Sequence, residues 1–389
     1  MKPIRIGVTC DASGVYRTRG QDDLRGIRMA LAERNAAGGV LGRPIEWVTA
    51  DTETNPETGA RVAQRFINDD CTLLIGAIHS GVANAITQVA APKGVIYLNT
   101  NSSAASEAQQ NRNRVKFVWD ANGTNFAKAA VMNAVRSIGR HWVLLGNDSV
   151  WGRGAASATR TLVQSAGGYV ADEIFVAEDS QAVAQPLEQV RALKPDVVAT
   201  SIGGADFQAL RRLAVELGLD RSIAWLSSQQ DWPDLWEVRD SVFGAFGTTW
   251  YHKLPLPGVA EFVARWQAAN RDGGVPVPGN VSYNGYMATR ELLNAIARTG
   301  SSSNIAIIRA LEQLRVPARD RMQHFDAVMN PATHHLQQTI YLARQNTRPV
   351  DETDLIEIVN WVAPDVVRDP AAEAICRMVP HDQVPVVDS

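Results

Sequence analysis

The chain has 389 residues, 45% of them hydrophobic and 20% charged, with a formal net charge of −3. This length suffices for two domains of ordinary size, and the nearly balanced charge gives no indication of a nucleic-acid surface or of binding to a strongly anionic membrane. Because no apolar run approaches the ~20 residues that a membrane span needs, direct membrane insertion is not expected.

The first residues, MKPIRIGVTC, contain a strand-like run over residues 4–9. They do not contain a basic segment followed by a long apolar stretch, so no export signal is visible in them. Met1 directly ahead of a strand fits a mature exported domain that was given a start codon, with its export signal removed or left out.

Strand-like and helix-like segments alternate through the first two thirds of the chain. Predicted strands cover residues 4–9, 45–50, 73–78, 95–98, 116–119, 141–146, 169–177, 197–202 and 223–227, and predicted helices cover 22–37, 56–68, 125–138, 151–166, 181–193 and 206–217. This order predicts an α/β protein with mostly parallel strands. The two strand–helix blocks, about 1–118 and 120–250, are similar in length, which predicts two lobes with a cleft between them.

The last third of the chain has a different pattern. Three predicted helices follow one another without strands, and three short strands of antiparallel type come after them. The helices cover residues 259–270, 284–299 and 304–314, and the strands cover 322–329, 337–344 and 355–362.

The three cysteines, Cys10, Cys71 and Cys376, have no metal-ligand spacing and form no CxxC motif. One disulfide and a fully reduced chain are equally compatible with this number and spacing. The redox compartment therefore stays open.

The central unit of the first block carries the clearest indication of a site. The apolar run 73–78 is followed by His-Ser-Gly and a helix-length segment, and the apolar run 95–98 ends in Asn-Thr-Asn-Ser-Ser. In a parallel sheet, ligands bind outside the carboxyl ends of such strands. Ser80, Ser102 and Ser103 would offer hydroxyls and helix N-terminal N–H groups there, which suits a carboxylate. Alternatively, these serines are only helix N-caps.

Four stretches together resemble one known family. They are IGVTCDASGVYRTRGQDDLRGIRMALAERNAAGGVLGRPIEWVTADTETNPETGARVAQRFI, IGAIHSGVANAI, GNDSVWGRGA and SIGGADFQALRRLAVELGL. With them the chain resembles the type I periplasmic binding proteins of the leucine/isoleucine/valine-binding family, which are the solute receptors of ABC importers. The resemblance runs from about residue 4 to at least residue 342.

This resemblance implies two Rossmann-like lobes with parallel central sheets, joined by a three-strand hinge and closing over a ligand in the cleft between them. Lobe one would comprise residues 1–119 and 252–331, and lobe two residues 120–251 and 332–389. It also implies a small-molecule ligand, a membrane permease as partner and a periplasmic location.

The family's site residues can be transferred position by position. Its carboxylate-binding serine falls on Ser80, and its neighbouring hydroxyl segment falls on Ser102 and Ser103. An aromatic wall falls near Tyr16, and the aromatic residue that begins the first helix of the second lobe falls on Trp151. An indole there offers a flat apolar face and one donor, although a lobe-packing role for Trp151 is the alternative.

Two further candidates come from their position in the chain. His79 directly precedes Ser80 at the same strand end, so it is a ligand contact or, equally, a structural histidine. Tyr283 directly precedes the predicted helix 284–299 and is expected to reach the cleft from lobe one.

The chain departs from the amino-acid receptors of this family at one position. They have an acidic residue after the strand that here covers 223–228, where it pairs with the ligand's ammonium, whereas this chain has Gln229 with Gln230 beside it. A neutral amide cannot balance a desolvated ammonium, although Asp231 could if its loop turns inwards. We therefore expect a carboxylate without an α-amino group, aromatic or hydroxylated, rather than leucine or valine; amides or urea are the alternative.

An enzyme is not indicated by the sequence. It contains no GxSxG elbow, HExxH or Walker A motif, and no cofactor is expected. His334 and His335 lack a third metal ligand nearby, and Ser80 with His79 lacks an orienting acid for nucleophilic catalysis. Two hypotheses remain: an exported receptor for an importer, or a cytoplasmic ligand-sensing regulator of the same fold that binds an amide or urea-like ligand.

Overall fold

The structure of the chain is a computed structural model that describes residues 2–104, 113–271 and 274–388. Within these ranges the strands form two sheets, one of eight strands and one of seven. Most neighbouring strands in both sheets run parallel. The predicted α/β class with two parallel-sheet lobes is therefore confirmed.

The elements have the following bounds. In chain order the strands are β1 (Ile4–Cys10), β2 (Ile45–Asp51), β3 (Leu73–Gly76), β4 (Ile96–Asn99), β5 (Lys116–Val118), β6 (His141–Asn147), β7 (Tyr169–Val176), β8 (Val197–Ser201), β9 (Ala224–Ser227), β10 (Ala245–Thr248), β11 (Arg315–Val316), β12 (Ala327–Asn330), β13 (His335–Gln337), β14 (Ile340–Gln345) and β15 (Ile356–Val362). The α-helices run over Arg17–Ala36, Pro56–Asn68, Ser80–Ala90, Gly123–Ser137, Val150–Ser165, Ala184–Leu193, Gly204–Glu216, Leu219–Ser222, Trp232–Glu237, Val259–Ala269, Asn280–Thr299, Asn304–Glu312, Ala318–Arg321, Pro364–Val367 and Pro370–Ile375.

The strand order shows how the two lobes are connected. It is β11-β12-β13-β5-β4-β3-β1-β2 in the first sheet and β15-β14-β10-β9-β8-β6-β7 in the second. Along the strands of the described ranges, the chain therefore changes sheet three times, after β5, after β10 and after β13, as the predicted hinge requires. We call the part built on the first sheet the first lobe and the part built on the second sheet the second lobe.

The strands of the first lobe have buried residues on both faces. All residues of β3 and β4 are buried, which is typical of parallel strands covered on both sides. Leu73 and Ile75 pack in one hydrophobic cluster and Leu74 packs in another, because successive side chains point to opposite faces.

Local sequence explains some helix boundaries and misleads on others. The helix Pro56–Asn68 begins where predicted, because Asn55 Oδ1 accepts the N–H groups of Glu57 and Thr58 and proline occupies the first turn. By contrast, the helix Arg17–Ala36 begins five residues before the predicted residue 22. Its first turns bury charged side chains, including Arg19, so a search for apolar periodicity misses them.

The predicted lobe boundary is wrong for two segments after residue 331. The strand β13 pairs with β12 and β5 in the first sheet, because the short turn between β12 and β13 favours pairing of the two as a hairpin. The C-terminal segment also returns to the first lobe, where the backbone N–H of Asn304 donates to the carbonyl of Val387 at 2.9 Å. By contrast, β14 and β15 join the second sheet in antiparallel orientation, as predicted.

The three cysteines are buried and form no disulfide with one another in the part of the chain that the structure describes. No helix of the described ranges is long and apolar enough to cross a bilayer.

Candidate ligand-binding cleft

A cavity lies between the two lobes at the carboxyl ends of strands from both sheets. The space not filled by atoms there, including solvent at the opening, is about 340 Å³, of which the centre of a water-sized molecule can reach about 20 Å³. Its walls are formed by Tyr16, Arg19, Ile78, His79, Ser80, Gly81, Asn101, Ser103, Ser149, Val150, Trp151 and Gln229. These residues follow β1, β3, β4, β6 and β9, which is where an open α/β sheet binds ligands.

The first-lobe wall is organised by Asp11 and His79. Asp11 Oδ2 accepts the backbone N–H groups of Ile78 and His79, at 2.6 and 3.0 Å. The ring of His79 then caps the helix Ser80–Ala90, since its Nδ1 accepts the N–H of Val82 at 3.2 Å. Ser80 is therefore the first helical residue and not the N-cap.

This arrangement leaves the hydroxyl of Ser80 for another partner. Ser80 Oγ accepts the backbone N–H of Ala104 at 3.3 Å, so its own proton can be donated to an acceptor in the cavity. The capping explanation, one of the two that the sequence left open, does not apply to this serine.

The two serines after β4 have different environments. Ser103 lines the cavity and donates its hydroxyl to Gln229 Oε1 across the cleft, at 2.8 Å. Ser102 does not line it, because its backbone N–H and its Oγ both bond the side chain of Asn99. This local turn fixes Ser102 in the protein interior, outside the cavity wall of this structure, so its contact with a ligand stays a prediction that the structure does not support.

The second lobe contributes the start of a helix. Ser149 Oγ accepts the N–H of Gly152 at 3.1 Å and caps the helix Val150–Ser165. Trp151, in the first turn, lines the cavity and is 7% exposed. Its indole Nε1, a donor only, has no hydrogen-bond partner among the described residues. A buried donor in this state would be satisfied by an acceptor on a ligand.

Two other predicted contacts lie outside the cavity wall. Gln230 donates its side-chain amide to Ser227 Oγ at 3.0 Å, since neighbouring side chains at a strand end diverge and its neighbour Gln229 faces the cleft. Tyr283 is fully buried, stacked on Trp250 with ring centroids 4.7 Å apart. The helix begins at Asn280 rather than 284, which places Tyr283 inside its first turn and in the core.

The charges nearest the cavity are paired within the protein. Arg19 contacts Asp231 at 3.0 Å and Asp234 at 2.6 Å, and the three side chains are 6%, 4% and 1% exposed. Asp231 therefore does not turn into the cleft as an unpaired acid. Gln229 uses both amide hydrogens, donating to Asp120 at 3.1 Å and to Asp231 at 3.2 Å.

Asp120 lies beneath this amide, at the first crossing between the lobes. Burial, together with the charge of Asp231, raises the pKa of Asp120 to about 7, although hydrogen bonds from Ala121 N–H and Thr249 lower it in part. The carboxyl group under Gln229 therefore keeps its proton to a higher pH than a solvent-exposed aspartate does.

The sequence interpretation missed several residues in the cavity wall and one beside it. Asn101 and Ser149 follow strand ends, and that position could have identified them. Arg19 was missed because its helix begins before the apolar pattern does. Glu178 was also missed: it lies after β7 and accepts Tyr16 O–H at 3.2 Å and contacts His79 Nε2 at 3.1 Å, joining two wall residues to the second lobe.

Comparisons with known proteins agree with this architecture. A model of the periplasmic binding protein family matches residues 3–349. The Leu/Ile/Val-binding protein homolog 2 of Brucella abortus is 34% identical over 95 residues, 24% of this chain and 26% of that protein. The substrate-binding protein BasB of a chemotactic signal transduction system in Halobacterium salinarum is 25% identical over 246 residues, 59% of each chain. The chain thus spans between about a quarter and three fifths of these curated relatives.

Solved structures match nearly the whole chain at low identity. A periplasmic binding protein from Burkholderia mallei superposes with a TM-score of 0.88 at 20% identity, covering 97% of this chain and 99% of that one. A solute-binding protein from Rhodopseudomonas palustris BisB5 in complex with 3,4-dihydroxy benzoic acid has a TM-score of 0.82 at 19% identity, with 95% and 99% covered. A leucine-binding protein from Thermotoga maritima has a TM-score of 0.80 at 18% identity, with 93% and 99% covered. These similarities show the fold.

Proposed function

The chain belongs to the periplasmic binding protein family, and from this premise we propose that it is the solute receptor of an ABC importer and binds a small carboxylate without an ammonium group. The observation that carries the proposal is the composition of the cavity wall. It contains no aspartate or glutamate among the described residues, and its single cationic side chain, Arg19, is already paired with two carboxylates.

The donors around the cavity favour an anion. The helices Ser80–Ala90 and Val150–Ser165 begin at opposite walls. The first N–H groups of a helix have no intrahelical partner and carry partial positive charge, so both helices favour a negative ligand group. The hydroxyl of Ser80 and the indole N–H of Trp151 add two side-chain donors.

The same wall disfavours an ammonium group. A buried ammonium needs a carboxylate or several acceptors, and leaving it unpaired is costly. The nearest acid after β9 is Asp231, whose charge is shared with Arg19, and the intervening Gln229 presents an amide whose oxygen already accepts from Ser103. Leucine and valine would therefore bind without a partner for their α-ammonium.

The remaining wall fits an aromatic or hydroxylated acid. Tyr16, Ile78 and Trp151 provide apolar surface, while Asn101 and Ser149 provide polar contacts between them. In this structure the centre of a water-sized molecule reaches only about 20 Å³ of the cavity, roughly the room of one water molecule, so an aromatic acid would enter only after the lobes or the wall side chains move apart. The same fold binds 3,4-dihydroxy benzoic acid in one similar structure and benzoate in another, so such ligands are compatible with it.

The importer role also implies a permease as partner and a periplasmic location. Ligand would hold the two lobes closed through contacts made in the closed form, and the permease would recognise that form. We infer a receptor rather than a catalyst, because the family consists of binding proteins. A ligand-sensing regulator for amides is the competing function.

A thermal-shift comparison with matched ligands tests the proposal. Benzoate and benzamide differ in the carboxylate, and phenylacetate and phenylglycine differ in the α-ammonium. A ligand at a hundredfold its Kd adds about 2.7 kcal/mol to the unfolding free energy. We expect benzoate, 4-hydroxybenzoate or phenylacetate to raise the melting temperature, and phenylglycine, leucine and valine to leave it unchanged. Stabilisation by leucine or valine alone would refute the proposal, and stabilisation by benzamide but not benzoate would favour the regulator.

A further inference from the structure

Glu178 joins the two lobes at the rim of the cavity without lining it. Its side chain is 24% exposed and lies on the second lobe, while its partners Tyr16 and His79 belong to the first. Its two carboxylate oxygens have different partners: Oε1 accepts from the Tyr16 hydroxyl at 3.2 Å and Oε2 lies 3.1 Å from His79 Nε2.

The protonation of His79 follows from its other bond. Because the N–H of Val82 donates to Nδ1, that nitrogen carries no proton and the neutral ring carries its proton on Nε2. The Nε2–H group therefore donates to Glu178. The carboxylate thus receives two donors from the same wall, and both come from residues that line the cavity.

The loop that carries Glu178 is held in place by a buried group. The carboxylate of Asp206, on the helix Gly204–Glu216, accepts the backbone N–H groups of Asp179 and Gln181, at 2.8 and 2.7 Å. Asp179 and Gln181 both have positive φ, at 60° and 51°, which non-glycine residues seldom adopt. This backbone conformation persists only where surrounding bonds fix it, and here those bonds direct Glu178 across the cleft.

We infer that Glu178 is a latch: a positioning residue that ties the ligand-facing side chains of Tyr16 and His79 to the second lobe and favours the closed form. The inference rests on the proposed function, since closure over a ligand is what the latch would stabilise. Glu178 itself does not contact the ligand; it acts through Tyr16 and His79. Its loss would therefore speed ligand release rather than slow association, because the latch forms only as the lobes close.

The first test measures the affinity and release rate of 4-hydroxybenzoate for Glu178→Ala, Glu178→Gln and the control Glu188→Ala. Glu188 is an exposed second-lobe glutamate whose ion pair with Arg191 lies within a single helix. Two partly exposed bonds to a charged group predict a roughly tenfold rise in Kd for Glu178→Ala, mostly in the dissociation rate. Glu178→Gln should keep most of the wild-type affinity, since the amide can accept from His79 and donate to the Tyr16 oxygen. Glu188→Ala should bind like the wild type.

The second test is a double-mutant cycle with Tyr16→Phe, which removes the hydroxyl and keeps the ring. If both groups act through one bond, Tyr16→Phe should have less effect in the Glu178→Ala background than in the wild type. Spin labels at the exposed Lys93 and Arg191 report the distance between the lobes, and Glu178→Ala should shift it towards longer values.

The outcomes separate the latch from the function on which it rests. Equal affinity and equal lobe distances in the wild type and Glu178→Ala, with and without 4-hydroxybenzoate, would overturn the latch. Failure of 4-hydroxybenzoate and the other acids to bind the wild type would instead count against the proposed function. Lobe distances would still test the latch in that case, and an unchanged distribution would overturn it.

Discussion

Ser80 and Ser102 follow neighbouring strands of the first sheet, yet replacing each with alanine should affect different properties. Ser80 is 4% exposed and lines the cavity, with its hydroxyl proton available to a ligand. Ser102 is fully buried and bonds Asn99 instead. The two variants remove the same atom from sites of similar burial, so each serves as a control for the other.

The expected magnitudes follow from these contacts. A hydrogen bond to a charged group contributes about 1.5–3 kcal/mol, so Ser80→Ala should raise the Kd of a bound carboxylate about 10- to 150-fold. Water cannot easily replace the lost donor at so buried a position. Ser102→Ala should leave the Kd unchanged and lower the unfolding free energy by about 1 kcal/mol, because it removes a neutral buried bond.

The measurement is isothermal titration with the acid that stabilises the wild type most, combined with urea denaturation of both variants. A lowered affinity with Ser102→Ala and an unchanged one with Ser80→Ala would refute the placement of the carboxylate. Equal loss of affinity in both variants would also contradict it, because it would indicate a disturbance of the whole wall rather than the loss of one donor.

Three further predictions concern the surroundings of the site. Arg19→Met should lower the unfolding free energy by about 3–5 kcal/mol in urea denaturation, since it leaves two buried carboxylates without a cation, whereas Arg153→Met, which removes an exposed ion pair, should change it little. Burial raises the pKa of Asp22 and of Asp120 to about 7, so between pH ~4 and ~7 the folded chain binds protons that the unfolded chain has lost. The unfolding free energy should therefore fall as pH rises through that window. Asp120→Asn should make this fall shallower, and an unchanged dependence of the unfolding free energy on pH would exclude Asp120 as a cause. Trp151→Phe keeps an apolar ring but removes the orphaned donor, so ligand titration should show an affinity loss of roughly tenfold, and equal affinity would indicate that Trp151 contributes surface alone.

The sequence predicted those parts of the site that depend on local pattern. The apolar run of β3 followed by a turn predicted a strand end, and Ser80 lies in the cavity wall at that end. The sequence prediction included Trp151 but missed Ser149, although both residues lie at the start of the same helix. The pattern could not separate Ser102 from Ser103, because their difference depends on a side-chain bond from Asn99.

Other parts of the site depend on partners far away in the chain. Arg19 meets Asp234 across a separation of 215 residues, and His79 meets Glu178 across 99. No local periodicity encodes such pairs, and buried charged residues run against the apolar pattern from which helices are predicted. Tyr283 shows the converse case: its position near a helix start suggested the cleft, but the helix begins earlier and the ring packs on Trp250.

The proposed discrimination against amino acids depends on one of these long-range pairs. The amide at Gln229 would not by itself exclude an ammonium ligand, because Asp231 lies two residues further on and is buried beside it. Asp231 is not available to a ligand's ammonium because Arg19, from the other lobe, contacts it at 3.0 Å. The other oxygen of Asp231, Oδ1, accepts from the side-chain amides of Gln229 and Asn280, at 3.2 and 2.6 Å, so both oxygens have partners. An ammonium ligand that reached Asp231 would therefore have to displace one of these amides or compete with the buried guanidinium, and a displaced buried group left without a partner is costly. A carboxylate held by Ser80 and the two helix starts requires no such exchange.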